Sequence, residues 1–284
     1  MPELPEVEVL VRHLQPLLTG RRVGFVEVRR TKSVRPQTAA EFARALRNRR
    51  FTGLRRRGKF LLFDLAKVRG KPETLVGHLG MTGRMFLQPV RDVLPKHAAV
   101  VFGVGQGERF VFEDPRYFGR LSFDASPLAR LGAEPLDHPD PPESFVAGLR
   151  ASRQPVKVRL LDQSVVAGVG NIYASEALFV AGIWPVVPAA RLGPQRIAGL
   201  WRAIREVLSE AIAWGSTVPL NWSGAGGGDA LFYYGGDPEA PDTYEERLRV
   251  YDRAGEPCGR CGDTIQRTVL GSRSTFHCPR CQRQ

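Results

Sequence analysis

Cysteine is absent from residues 1–257 of this 284-residue chain, and all four cysteines follow in the C-terminal tail. Small secreted domains spread their cysteines more widely, so this distribution argues against a disulfide-bonded secreted fold. The first twenty residues lack the basic start and apolar core of a signal peptide. The longest apolar run, ALFVAGIWPVVPAA at 177–190, is too short to span a bilayer and contains two prolines. We therefore expect a cytoplasmic protein with no membrane partner.

The chain is also short of acidic residues. It has 29 Asp and Glu against 41 Lys and Arg, which gives a formal net charge of +12 at pH 7. A basic excess makes polyanions the first class of partner to consider, and nucleic acid is the commonest of them. An inert basic surface is the alternative, because net charge bears on association and not on fold.

The composition changes along the chain and indicates separate domains. Residues 20–125 carry short runs of β-branched and aromatic residues separated by Gly, Pro and Asp, which is typical of a β-sandwich or barrel. A proline-rich stretch at 133–145 indicates a domain boundary, and apolar residues recur at helical spacing after it. The same spacing predicts a leading helix over about residues 5–18. The stretch 221–242 is rich in Gly and aromatic residues and predicts a long loop.

The C-terminal tail contains two CxxC pairs separated by sixteen residues. This spacing is typical of a structural zinc site closed by four thiolates, and disulfides or free thiols are the alternatives. The residues between the pairs alternate and predict a β-hairpin that turns near Gly271. Its arginines, Arg267, Arg273 and Arg280, suit a phosphate backbone, and a solvated basic turn is the alternative. The four predicted zinc ligands are Cys258, Cys261, Cys278 and Cys281.

Six ordered motifs resemble those of the formamidopyrimidine-DNA glycosylases, a bacterial base-excision repair family related to endonuclease VIII. They are PELPEVE at the start, RRGKFLLF, HLGMTG, DPRYFG, LLDQ…AGVGNIYASEALF and the C-terminal cysteine hairpin. The resemblance implies an α+β multidomain fold with one structural zinc ion. The implied parts are a two-sheet β-sandwich with a leading helix (1–135), a helix–two-turn–helix domain (142–235) and a β-hairpin zinc finger (248–284).

The resemblance implies a bifunctional DNA glycosylase and AP lyase that acts on oxidised purines in double-stranded DNA, with abasic sites as further substrates. We expect a monomer that associates with the nucleoid when it is bound to DNA. Endonuclease VIII-like excision of oxidised pyrimidines is the nearest alternative, and a non-catalytic zinc-ribbon DNA-binding protein is another. A metal-dependent nuclease is disfavoured, because the sequence shows no second Asp/His cluster.

The N-terminal proline gives the implied chemistry a physical basis. Removal of Met1 would expose a secondary amine, and an α-amine titrates near pH ~8 whereas a lysine titrates near ~10.4. A neutral amine can attack the anomeric carbon and form a Schiff base with the sugar. Glu3 is the candidate for general acid/base work, Glu6 is either a second carboxylate or a surface residue, and Glu8 is expected at the solvated surface. The residues that the resemblance assigns to catalysis are Pro2, Glu3, Lys59 and Arg273.

Six further residues are implied in handling DNA. Extracting a nucleotide leaves a gap, which an apolar wedge and an arginine facing the orphaned base can fill. By resemblance Met81, Phe118 and Arg116 have these roles, although core packing is the plain alternative for the first two. His78, Asn171 and Lys157 are implied to bind phosphates, with Asn171 at a helix start that either seats a phosphate or is an N-cap.

Two stretches depart from the family pattern. DPRYFG has Tyr117 where a second arginine is usual. The loop after WGST, which normally caps the extruded base, keeps Ser216 and Thr217 but has Leu220 near the place of a common lysine. The departure in the loop leaves the lesion preference of the chain open, whereas DPRYFG keeps Arg116 and Phe118.

Overall fold

The computed structural model describes residues 2–66, 73–215 and 248–283. Met1, whose removal the predicted chemistry requires, and the predicted loop at 221–242 lie outside these residues. Within them the chain forms two units. The first unit comprises Pro2, residues 6–66 and 73–129, and Gly215, and the second comprises residues 3–5, 130–214 and 248–283.

The described residues of the N-terminal half, 2–66 and 73–129, form two α-helices and eight strands. They are α1 (Leu4–Leu18), β1 (Phe25–Val28), α2 (Ala39–Leu46), β2 (Arg50–Arg57), β3 (Phe60–Ala66), β4 (Glu73–His78), β5 (Arg84–Pro89), β6 (Ala98–Gly103), β7 (Glu108–Glu113) and β8 (Arg120–Ser122).

Helix α1 begins within one residue of its predicted start and ends where the sequence indicates. Val7, Leu10, Leu14 and Leu18 recur at helical spacing and are almost completely buried in the core of the first unit. Burial of this apolar stripe, rather than intrinsic helix propensity, is what stabilises such a helix.

The eight strands form two antiparallel sheets with the orders β1-β6-β7-β5 and β2-β3-β4-β8. Phe51 and Phe63 of the second sheet lie 6.4 and 5.8 Å, between ring centroids, from Phe110 of the first sheet. These aromatic contacts place the core between the two sheets and confirm the predicted β-sandwich with a leading helix.

The described part of the second unit contains four α-helices and one hairpin. They are α3 (Glu143–Arg150), α4 (Val156–Leu160), α5 (Asn171–Val180), α6 (Pro194–Gly215), β9 (Gln266–Leu270) and β10 (Arg273–His277). Helix α5 is buried on nearly every face, which is the pattern of a helix at the centre of a domain.

Both ends of the described chain pack beside α5. The Leu4 N–H donates to the Gly168 carbonyl (3.1 Å), just before the helix starts. Beyond the C-terminus of α5, the Trp184 N–H donates to the Arg283 carbonyl and the Arg283 N–H donates to the Gly182 carbonyl, each at 3.1 Å. Residues near the two ends of the chain are therefore held by segments that flank one helix.

The hairpin turns at Gly271 and Ser272, as the sequence predicts near Gly271. Both residues have positive φ, +55° and +60°, between the paired Leu270 and Arg273. Two central residues with positive φ match the twist of a two-residue hairpin turn. No helix within the described ranges is long and apolar enough to cross a bilayer.

Candidate functional site

The Glu3 carboxylate is held by the first turn of α5. Its oxygens accept hydrogen bonds from the backbone N–H groups of Gly170 (2.7 Å), Ile172 (3.1 Å) and Tyr173 (3.4 Å), and the residue is 2% exposed. A helix N-terminus presents unpaired N–H groups and a partial positive charge, so it suits a carboxylate. Glu3 is thereby fixed in place beside Pro2, which is also buried.

Two glycines of the GVGN stretch make room for this contact. A Cβ on Gly170 would lie 2.2 Å from Glu3 Cδ, and one on Gly168 would lie 2.6 Å from Leu4 Cβ. Gly168 also has a φ of +86°, which favours glycine. The sequence interpretation of this helix start as a phosphate seat is corrected here, because Glu3 accepts from these amides. The N-cap alternative for Asn171 is also wrong, since Gly170 is the N-cap residue.

Asn171 and Lys157 converge on one carbonyl of the hairpin. Asn171 Nδ2 donates to the Ser274 carbonyl (3.0 Å), and Lys157 Nζ donates to the same oxygen (2.9 Å) and to Thr275 Oγ1 (3.0 Å). Lys157 is fully buried, so contact with a phosphate, which stays a prediction, would require these bonds to break. Burial lowers the pKa of Lys157 to about 7, although the charge of Glu3 acts in the opposite direction.

Arg273 begins β10 and is exposed, directly before the Ser274 carbonyl that Lys157 and Asn171 bind. The second unit therefore brings together four of the predicted site residues around α5 and β10. They are Glu3, Lys157, Asn171 and Arg273.

The four cysteines form one cluster at the base of the hairpin. Their Sγ atoms all lie within 4.8 Å of one another, with 3.9 Å between Cys258 and Cys281 and 3.5 Å between Cys261 and Cys278. Tetrahedral zinc with Zn–S bonds near 2.3 Å requires sulfur separations of about 3.8 Å. The thiols are unbridged, so the donor set fits one zinc ion and the disulfide alternative is wrong.

Glu176 is a buried carboxylate of the second unit that sequence reasoning missed. Its carboxylate, 2% exposed on α5, accepts from the backbone N–H groups of Arg249 (2.8 Å), Val250 (2.9 Å) and Tyr251 (2.9 Å). Burial raises the pKa of Glu176 in spite of these hydrogen bonds. The one available signal was a carboxylate within an otherwise apolar helix, ASEALF. This contact ties α5 to the chain segment that leads into the cysteine hairpin.

In the first unit, Lys59 and His78 lie on neighbouring strands. Lys59 precedes Phe60, which pairs with His78 across β3 and β4. The Gly80 N–H donates to His78 Nδ1 (3.0 Å), so the neutral ring carries its proton on Nε2. Burial, with the charges of Lys59 and Arg120, lowers the pKa of His78 to about 4. His78 is therefore a neutral N–H donor at physiological pH.

The two loops that carry Met81 and Phe118 pack against each other. A Cβ on Gly80, whose φ is +68°, would lie 2.6 Å from Gly119 N and 2.8 Å from the Phe118 carbonyl carbon. Phe118 is 46% exposed and Met81 is partly exposed. Neither residue is fully buried, so the core-packing alternative does not describe them.

Arg116 and Phe118 lie together on the exposed side of their loop. The Arg116 guanidinium lies 5.0 Å from the Phe118 ring centroid, a separation at which a cation and an aromatic face attract. The fully buried Asp114 organises this loop, since it accepts from Thr82 Oγ1 (2.6 Å), the Arg116 N–H (3.2 Å) and the Gly119 N–H (2.7 Å). The sequence interpretation missed Asp114, although it opens the DPRYFG motif.

The structure corrects the expectation that Glu8 lies at the solvated surface. Glu8 is half-buried, not solvated, and pairs with Arg12 and Arg56 at 2.8 Å each. Burial alone would raise the pKa of Glu8, but the hydrogen bonds and charges of the two arginines outweigh it and lower that pKa. Glu6 is 5% exposed, so its surface alternative is wrong. The predicted capping-loop residues Ser216, Thr217 and Leu220 lie outside the described residues.

Comparisons with known proteins place this geometry in a family. The model of the formamidopyrimidine-DNA glycosylase N-terminal domain matches residues 1–121, that of the formamidopyrimidine-DNA glycosylase H2TH domain matches 131–220, and that of the zinc finger found in FPG and IleRS matches 255–284. The exact predicted domain bounds stay a prediction.

Similar proteins cover the whole length of the chain. A formamidopyrimidine-DNA glycosylase of Chloroflexus aurantiacus is 40% identical over 99% of this chain and 98% of its own. One from Methylococcus capsulatus is 40% identical over 100% of both chains. The Lactococcus lactis Fpg, solved in complex with DNA that contains an abasic site, superposes with a TM-score of 0.84 at 30% identity, covering 99% of this chain and 100% of that one. The chain therefore belongs to the formamidopyrimidine-DNA glycosylase family.

Proposed function

We propose that this protein excises oxidised purines from double-stranded DNA, with Pro2 as the nucleophile, and then cleaves the strand at the resulting abasic site. One observation carries the proposal. The carboxylate of the residue that follows Pro2 is buried and oriented by three backbone N–H groups of α5. A group fixed in this way can transfer protons at a sugar that is bound to its neighbour.

The first step joins protein and sugar. After Met1 is removed, the Pro2 nitrogen attacks C1′ of the damaged nucleotide, and the electron pair of the glycosidic bond leaves with the base, which takes up a proton. The attacking nitrogen loses its own proton. Its lone pair then opens the C1′–O4′ bond to form an iminium, and Glu3 supplies a proton to O4′.

The second step breaks the strand. The cationic iminium withdraws electrons and acidifies the proton on C2′. Removal of that proton expels the 3′ phosphate by β-elimination, and a further proton loss expels the 5′ phosphate by δ-elimination. Water then hydrolyses the iminium and restores the Pro2 amine.

Phosphates on either side of the nucleotide need cationic or N–H partners. We assign these contacts to Lys59, to the Nε2–H of neutral His78 and to Arg273. Asn171 would contact a phosphate of the same DNA strand. Lys157 supports Arg273 indirectly, because its two hydrogen bonds fix the residues that follow Arg273 in β10. Zinc bound by the four cysteines would cross-link the base of this hairpin, and its four thiolates leave no open position for catalysis.

The gap left by the extracted base is assigned to the paired loops of the first unit. Phe118 has the exposure that a wedge between bases requires, Met81 lies on the adjoining loop, and Arg116 meets the orphaned cytosine. We place the enzyme in the cytoplasm, on nucleoid DNA, as a monomer. Cysteine ligands need the reducing conditions found there.

Borohydride trapping tests the proposal directly. A duplex with one 8-oxoguanine opposite cytosine is incubated with the protein and reduced, and the cross-linked peptide is identified by mass spectrometry. We expect the cross-link at the Pro2 nitrogen. A sample with its α-amine acetylated is the control and should give no cross-link, since the nucleophile is blocked.

The other outcomes separate the alternatives. A cross-link to an oxidised-pyrimidine duplex, without one to the 8-oxoguanine duplex, would keep the mechanism and assign the endonuclease VIII-like substrate. Tight DNA binding without any cross-link, including to an abasic duplex, would refute the enzyme and leave a zinc-ribbon DNA-binding protein. Within the described ranges the four cysteines are the one cluster able to hold a metal, so incision should persist in EDTA.

A further inference from the structure

Tyr117 adopts a backbone conformation that is unusual for its residue type. It lies in the turn between β7 and β8 with a φ of +52°, in the left-handed region that bulky side chains rarely occupy. Strained positions of this kind persist only where the surrounding structure holds them. The contacts of the Tyr117 side chain show what holds this one.

Two partners fix the Tyr117 side chain within the first unit. Its hydroxyl lies 3.1 Å from His97 Nδ1, and the two ring centroids are 6.1 Å apart at an angle of 62°. The Arg30 guanidinium lies 4.8 Å from the centroid of the Tyr117 ring. A hydrogen bond at one end of the ring and a cation over its face both hold the side chain in this position.

The backbone of the same residue is also held. The Tyr117 N–H donates to the Asp114 carbonyl (3.2 Å), and the Tyr117 carbonyl accepts from Arg120 (3.2 Å). Tyr117 packs inward against the core of the first unit while its two neighbours, Arg116 and Phe118, remain exposed. The left-handed conformation at Tyr117 thus lets its side chain pack on the core while the side chains of Arg116 and Phe118 face solvent.

We propose that Tyr117 is a positioning residue that holds the 114–119 loop, before DNA binds, in the conformation in which Arg116 and Phe118 enter the duplex. The inference rests on the proposed function, because the rigidity of this loop matters only if Arg116 and Phe118 enter the duplex. A loop ordered in advance loses less conformational entropy on insertion, so base extrusion is faster.

The contact that only a tyrosine makes at this position is the one between its hydroxyl and His97. The arginine that is usual at this position in the related motif would place a second cation beside Arg30 and would lack the hydroxyl that lies 3.1 Å from His97 Nδ1. We therefore expect this chain to depend on the Tyr117–His97 contact, and Tyr117→Arg to be a poor replacement here.

The test is Tyr117→Phe, which keeps the ring under Arg30 and removes only the oxygen. Stopped-flow fluorescence of 2-aminopurine placed beside an 8-oxoguanine reports base unstacking, and single-turnover excision reports the product. Loss of one hydrogen bond predicts unstacking slower by about 2- to 13-fold. Cleavage of a preformed abasic duplex should be slowed less, because no base has to be unstacked there.

Coupling and control variants complete the experiment. Tyr117→Phe should add nothing to His97→Leu, because both remove the same contact. Ser126→Ala removes a hydroxyl hydrogen bond to Asp124 (3.0 Å) from another exposed loop of this unit and should leave unstacking unchanged. Thermal unfolding of each variant separates slower unstacking from lower stability.

The outcomes decide between the two inferences. Wild-type unstacking rates in a folded Tyr117→Phe would overturn the positioning role, as would equal losses on the oxidised and abasic duplexes. If the wild-type protein itself neither unstacks the duplex nor cross-links to it, the proposed function fails instead.

Discussion

Gly170→Ala would displace the carboxylate on which the proposed chemistry depends. Gly170 has φ −128° and ψ −157°, an extended conformation that alanine tolerates. Its new Cβ, however, would lie 2.2 to 2.6 Å from three atoms of the Glu3 carboxylate. The steric collision is therefore the whole effect, and either Glu3 or the start of α5 must move.

The size of the effect follows from the contacts that are lost. Three N–H groups lose a charged acceptor in a buried site, and a hydrogen bond to a charged group is worth roughly 1.5–3 kcal/mol. Because some amides would find water, we expect stability to fall by about 3–5 kcal/mol. A catalytic group misplaced by about 1 Å loses on the order of 100-fold in rate.

Single-turnover excision and urea unfolding measure the two effects in the same preparation. Gly199→Ala is the matched control, because a Cβ there meets nothing within 4 Å in the helix α6. It should stabilise the protein by about 0.5–1 kcal/mol through helix propensity and leave the rate unchanged. Wild-type rate and stability in Gly170→Ala would refute the contact between Glu3 and the start of α5.

Lys157 should make the stability of the second unit depend on pH. Its folded pKa of about 7 lies below the usual 10.5, so the unfolded chain binds more protons and stability rises by about 2 kcal/mol from pH 7 to pH 9. Urea unfolding of Lys157→Met should lack this rise. His78, with a pKa of about 4, should stay neutral in NMR titrations from pH 5.5 to 8. The affinity for DNA should therefore show no change over this range that comes from His78. An NMR midpoint near pH ~6.5, the ordinary value for histidine, would contradict this. Removing zinc should disorder the cysteine hairpin and weaken DNA binding by at least about tenfold, checked by metal analysis and titration with an abasic duplex.

Local patterns predicted the elements well. Each of three elements was predictable from a few neighbouring residues. They are helix α1 from its apolar spacing, the β9–β10 hairpin from its alternation, and the zinc site from its two CxxC pairs. The rhythm of the strands predicted a sandwich or barrel, and the family resemblance specified the sandwich. Helix and hairpin geometry depend on contacts that are short in sequence, so a single sequence contains what is needed.

Contacts between distant residues were not predictable in this way. Glu3 meets Gly170, and Lys157 and Asn171 both meet Ser274, across more than a hundred residues of chain. The interpretation of the α5 start as a phosphate seat was chemically sound, since a helix N-terminus does seek an anion. What it could not supply was the identity of that anion, which is a side chain of the protein itself.

The contacts beside α5 have a consequence for how the protein is made. Residue 4 bonds to residue 168 before the helix, and residue 283 bonds to residues 182 and 184 after it. During synthesis the N-terminal segment leaves the ribosome long before its partner exists, and the last contact forms only after residue 283 has emerged. Pairings of such high sequence separation are slow to form. Until then α5, apolar on nearly all sides, lacks the partner that follows it in the chain, and this interval is when a nascent chain is most exposed to chaperones and to aggregation.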